Sequence, residues 1–100
     1  MKNCKIFKES HFWHVVVLSK EMGEFIVLLI KQKHFPIISY ITYRGDFGSA
    51  IYGGLNLEIQ ISEMAEEEDL SVLETTIENL ADTFLKLRRR WAILSQRERI

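Results

Sequence analysis

The sequence predicts an α+β fold: a five-stranded antiparallel β-sheet, running as a meander, followed by one long C-terminal α-helix packed on the sheet. Three observations lead there. Period-two hydrophobicity dominates up to about residue 61. Apolar residues recur at alternating spacings of three and four from Leu70 to Leu94. Turn-forming residues punctuate the first region and are missing from the second. One hundred residues, 47% hydrophobic and 27% charged with a single proline, have the composition of an ordinary globular domain, so 1–100 is read as a single domain.

Residues 3–8 read as a short strand flanked by lysines, which suits a sheet edge because charge blunts edge-to-edge pairing. Residues 11–19 and 24–31 are rich in Val, Ile, Leu and aromatics and read as the second and third strands, with the intervening KEMG at 20–23 as a hairpin turn. A second turn over 32–35 leads through Pro36 into a strand at 37–43. Residues 44–49 form the next turn, and a strand then runs to about residue 61, with Gly53 and Gly54 marking a bulge. In that last strand Leu55, Leu57, Ile59 and Ile61 alternate with Asn56, Glu58, Gln60 and Ser62, the pattern of a strand with one wet face. Both parities of the second and third strands are apolar, so each face of the sheet seeks cover there.

The helix spans about 70–96. Leu73, Ile77, Leu80, Phe84, Leu87, Trp91 and Leu94 form a heptad seam along one side of it. At 1.5 Å per residue it runs roughly 40 Å, longer than an eight-residue strand of about 26 Å. Its far end therefore crosses the sheet diagonally or meets a second copy of the chain. The seam is the candidate core or dimer surface, and a homodimer is expected.

The net charge of −1 conceals segregation. Residues 63–80 hold seven acids and no base, and residues 81–100 hold six bases and two acids. Glu66, Glu67, Glu68 and Asp69 open the helix, while Lys86, Arg88, Arg89, Arg90 and Arg97 lie toward its end, the polarity that complements the helix macrodipole. These two groups are the candidate partner-binding residues.

Chemical motifs do not assemble. His11 and His14 are spaced i, i+3 on a strand and point to opposite faces, so they cannot share a metal ion, and His34 sits alone in a turn. Cys4 has no neighbour that would activate its thiol. The tripeptides Arg44-Gly45-Asp46 and Asp46-Phe47-Gly48 match adhesion and kinase motifs without any of their context. The glycines show no phosphate-cradling spacing, and the acids at 63–69 lack the alternating oxygens of a calcium loop. No catalytic residue, metal or cofactor is expected.

One cysteine and an N-terminus without a signal-peptide core point to the cytoplasm, and the longest apolar run, 25–30, is far too short to span a bilayer. The expectation is a small non-catalytic protein–protein interaction module, a regulator or inhibitor acting by stoichiometric binding, of the kind frequent among phage and mobile-element products. The alternative is a nucleic-acid-binding regulator that uses the arginine-rich end of the helix. Its Arg–Trp juxtaposition suits phosphates and bases, but the sequence pI of about 6.3 is low for that role.

Overall fold

A computed structural model describes residues 3–45 and 55–98, with backbone alone at 92–98. The elements follow the order β1 (Lys5–Glu9), β2 (Phe12–Val16), α1 (Lys20–Lys33), β3 (Ile38–Arg44), β4 (Asn56–Ile61) and α2 (Glu67–Glu98). The sheet has four strands in the order β1-β2-β4-β3, each pair antiparallel. The α+β class, the antiparallel sheet and the C-terminal helix are as expected; the five-strand meander with a single helix is not. Asp46 to Gly54, which carry most of the expected turn at 44–49 and the Gly53–Gly54 bulge, lie outside the described residues.

The expected third strand at 24–31 is a helix, and the expected hairpin turn at 20–23 is its first turn. Ser19 is extended, and its Oγ accepts from the Met22 N–H at 3.2 Å, capping the helix. Glu21 stands in the first turn and Lys31 and Lys33 in the last, each sign matched to the local helix dipole. His34 closes the helix at φ 54°, its N–H returning to the Lys31 carbonyl. Within the apolar run, Met22, Ile26 and Ile30 recur every fourth residue and are buried, whereas Leu28 is exposed. A continuous apolar stretch satisfies both periods; here the capping residues and the burial of every fourth position belong to the helix.

The strands set one face inward. Trp13 and Val15 of β2 oppose Ile59 and Leu57 of β4, which oppose Ile41 and Tyr43 of β3, and Ile6 of β1 lies opposite Val15. Both helices cover this face. Gly23 of α1 abuts Tyr43 and Leu57, while Lys8 of β1, opposite Trp13, reaches Glu74 of α2 at 2.6 Å. The face therefore carries two helices side by side, and the apolar residues of 24–31 belong to one of them and not to a strand that seeks cover on both faces. The opposite face presents Tyr40, Thr42, Arg44, Glu58 and Gln60, with Arg44 and Glu58 paired at 3.2 Å. The wet side expected of the last strand is there at Glu58 and Gln60. Asn56 is the exception, fully buried with Oδ1 3.3 Å from His14 Nδ1.

Two local irregularities shape the sheet. Ser10 adopts φ 51° in the two-residue connection between β1 and β2, and the pairing of β3 with β4 shifts between Ile38 and Tyr40. α2 begins where the Asp69 carboxylate accepts the Glu66 N–H at 3.4 Å and the Glu66 carbonyl accepts the Leu70 N–H at 3.1 Å, a capping arrangement built from two of the helix-start acids. No described helix is long and apolar enough to cross a membrane.

Candidate docking surface at the free end of the C-terminal helix

A helix of 32 residues is about 48 Å long, against roughly 17–23 Å for strands of five to seven residues. The molecule accordingly extends 55 × 30 × 25 Å. The heptad seam records where the underlying protein ends. Leu73, Ile77, Leu80 and the adjacent Ala81 are buried, and Phe84 and Leu85 are partly buried against the core. Leu87 is then 49% exposed and Trp91 72% exposed. Trp91 does not reach the chain's own sheet, so the diagonal crossing considered for the far end of the helix is not what forms. The side chains of Leu94 and Arg97 lie outside the described part.

Among the described side chains, the outermost packing partner of α2 is α1. Phe25 and Phe84 meet with ring centroids 5.4 Å apart and planes inclined by 52°, a tilted aromatic pair. Going back one turn along α1 from Phe25 to Glu21 corresponds to going forward along α2 from Phe84 to Leu87, Arg88 and Trp91, so the two helices run antiparallel. Moving outward from this pair, Glu21 of α1 comes beside Leu87, Arg88 and Trp91 of α2, and the six side chains together line an open cleft of about 540 Å³. One wall is aromatic and aliphatic; the rim carries one acid and one base. Neither Glu21 nor Arg88 has an ion-pair partner among the described residues.

Of the residues singled out from sequence, Lys86, Arg88, Arg89 and Arg90 are all exposed on this free end. Successive helical residues are about 100° apart, so the three arginines splay around the helix, and Arg88 alone lines the cleft. Glu66, Glu67, Glu68 and Asp69 are exposed at the other end of α2. Some 21 residues separate Glu67 from Arg88, about 32 Å along the axis, so the acidic and basic groups form two surfaces and not one site. Glu21 and Phe25 do not stand out as site residues in the sequence because their segment reads as turn and strand. The signal that could have found them is Ser19 followed by an acid in the first turn, with the i, i+4 pair Phe25 and Leu29.

Elsewhere the chemistry is sparse. Among the described residues no three His, Cys, Asp or Glu side chains converge as a metal site would require. Cys4 is buried, and His14 lies against Phe12 with centroids 5.5 Å apart. A smaller cleft of about 330 Å³ lies where α1 ends against β3, between Ile30, His34, Phe35 and Tyr40. Tyr43 Oη and Asn56 Nδ2 are buried with no hydrogen-bond partner among the described residues. The chain matches no protein-family model, no curated protein and no solved structure.

Proposed function

We propose that this chain is a non-catalytic protein–protein interaction module, a regulator or inhibitor that acts by stoichiometric binding, and that it docks through the free end of α2. The observation that carries the reading is the exposure of Leu87 and Trp91 on the same stripe that is partly buried at Phe84 and buried at Leu80, Ile77 and Leu73. Fully burying a large apolar side chain releases about 1.5–3 kcal/mol, of which half-exposed Leu87 retains roughly half and Trp91 most, and tryptophan and arginine are the side chains that most often dominate protein interfaces. A concave aromatic wall beside a projecting tryptophan gives a partner both a pocket to fill and a knob to receive.

A second reading is favoured by the same exposure. Trp91 stands beside Lys86, Arg88, Arg89 and Arg90, and an exposed indole among arginines suits a single-stranded nucleic acid. Against it, the arginines do not share a face and Glu21 stands in the cleft wall where phosphates would pass. Co-purification of the full chain and its Trp91→Ser variant from expressing cells tests the proposal. Protein binding predicts a partner held at moderate salt and lost with Trp91. Nucleic-acid binding predicts an associated polyanion released steeply as salt rises.

A further inference from the structure

Resting on the docking reading above, we infer that the occupant of this cleft in the isolated protein is a second copy of the chain. The two copies are antiparallel, with Trp91 of each seated against Phe25 and Phe84 of the other. A two-fold interface is isologous: residue i of one copy meets residue j of the other, and j meets i, so a single patch must contain both members of every pair. This patch does. Its apolar part holds a projecting side chain, Trp91, and a hollow walled by Phe25, Phe84 and Leu87; its polar rim holds one carboxylate, Glu21, and one guanidinium, Arg88.

The register follows from the order of residues along the two helices. A two-fold axis crossing α2 near Leu87 and Arg88 sets position 91 of one helix opposite position 84 of its mate. Because α1 runs antiparallel to α2 and Glu21 lies outward of Phe25, the same axis carries Arg88 of each copy toward Glu21 of the second copy. Apolar and charged pairings are thus satisfied by one symmetry operation, with the helix dipoles opposed. The acidic start of α2, some 32 Å away, plays no part in this contact. A polyanion or an acidic partner would meet the Glu21 carboxylate; a second copy supplies its complement.

Sedimentation equilibrium of the full chain tests the arrangement. Wild type is expected to populate a species of twice 11.8 kDa. Glu21→Arg and Arg88→Glu, both at exposed positions, are each expected to weaken the dimer about tenfold or more, and the double swap to restore it to within a few-fold. Trp91→Ser is expected to be monomeric, with melting in dilute solution verifying that each variant is folded. Wild type that is monomeric at all concentrations, or a dimer that none of the variants weakens, overturns the inference. So does a monomer that binds a single-stranded oligonucleotide through Arg88. A monomeric wild type that still captures another protein through Trp91 overturns the self-docking inference alone, and loss of neither association with Trp91→Ser overturns the docking reading with it.

Discussion

Phe25 and Phe84 meet with ring centroids 5.4 Å apart near the start of α1, and beyond this pair the stripe along α2 opens to solvent, half at Leu87 and mostly at Trp91. The contact marks a boundary within one heptad stripe. Inward of it the stripe holds the fold; outward of it the stripe is offered to something else.

Stability should change across that boundary. Phe84→Ala, at a partly buried position, is expected to cost about 2–3 kcal/mol, somewhat below the 3–5 kcal/mol of a fully buried phenylalanine. Leu87→Ala, one turn on, should stay within about 0.5 kcal/mol in dilute solution. Urea unfolding of the two variants decides the point; comparable losses would place Leu87 in the core.

Gly23 is a packing glycine and not a turn glycine. A Cβ there would stand 2.5 Å from Tyr43 Cδ1 and 3.4 Å from Leu57 Cδ2, so the α1 backbone lies directly on the Tyr43 ring. Gly23→Ala gains up to about 1 kcal/mol of helix propensity, yet is expected to be net destabilising by about 1–2 kcal/mol through overpacking. Combining it with Tyr43→Leu should recover much of that loss, which thermal melting of the single and double variants would reveal.

Tyr43 should give the protein an alkaline limb. Burial, then the carboxylates of Glu24 and Glu21, raise its phenol above the ordinary 10.0. The folded state therefore holds this proton more tightly than the unfolded chain does. The associated stability is fully present below pH 10.0 and is lost as pH rises through the folded pKa. Tyr43→Phe should flatten that decline. Because the buried hydroxyl has no hydrogen-bond partner among the described residues, the variant should also be as stable as wild type or more stable by about 1 kcal/mol at neutral pH. A marked loss at neutral pH would mean that the hydroxyl is satisfied.

The arginines should separate by position. Arg89→Gln with Arg90→Gln removes two exposed charges that lie outside the lining of the Trp91 cleft, so stability should shift by no more than about 1 kcal/mol and self-association should not change. Arg88→Gln should weaken association. Equal effects from all three arginines would favour a diffuse electrostatic role, as a nucleic-acid partner would produce.

How far the sequence disclosed this molecule depends on which residues are asked. The alternation of Leu57, Ile59 and Ile61 with Glu58 and Gln60 is visible because one face of β4 is wet, and the seam at Leu73, Ile77 and Leu80 is visible because one side of α2 is not. The segment 24–31 was opaque for a physical reason. Phe25, Val27 and Leu29 are partly covered while Ile26 and Ile30 are fully buried, so the run lacks the polar half-turn that would have declared a helix. Read as a strand, it hides everything that depends on α1, including the cleft at Glu21 and Phe25. The far end of the seam misleads differently. Leu87 and Trp91 keep the spacing of core residues after the core beneath them has ended, and spacing carries no information about how far a sheet extends.

The most direct test of a docking surface at Trp91 is the accessibility of its indole. The chain has two tryptophans, and Trp13 is only 2% exposed. Collisional quenching of fluorescence in dilute solution should therefore resolve one shielded and one open emitter. On concentrating the protein, or in a complex with a bound partner, the open emitter should become shielded while Trp13 stays as it was. A Trp91 that remains equally quenchable at high concentration and in every complex the protein forms would contradict the account.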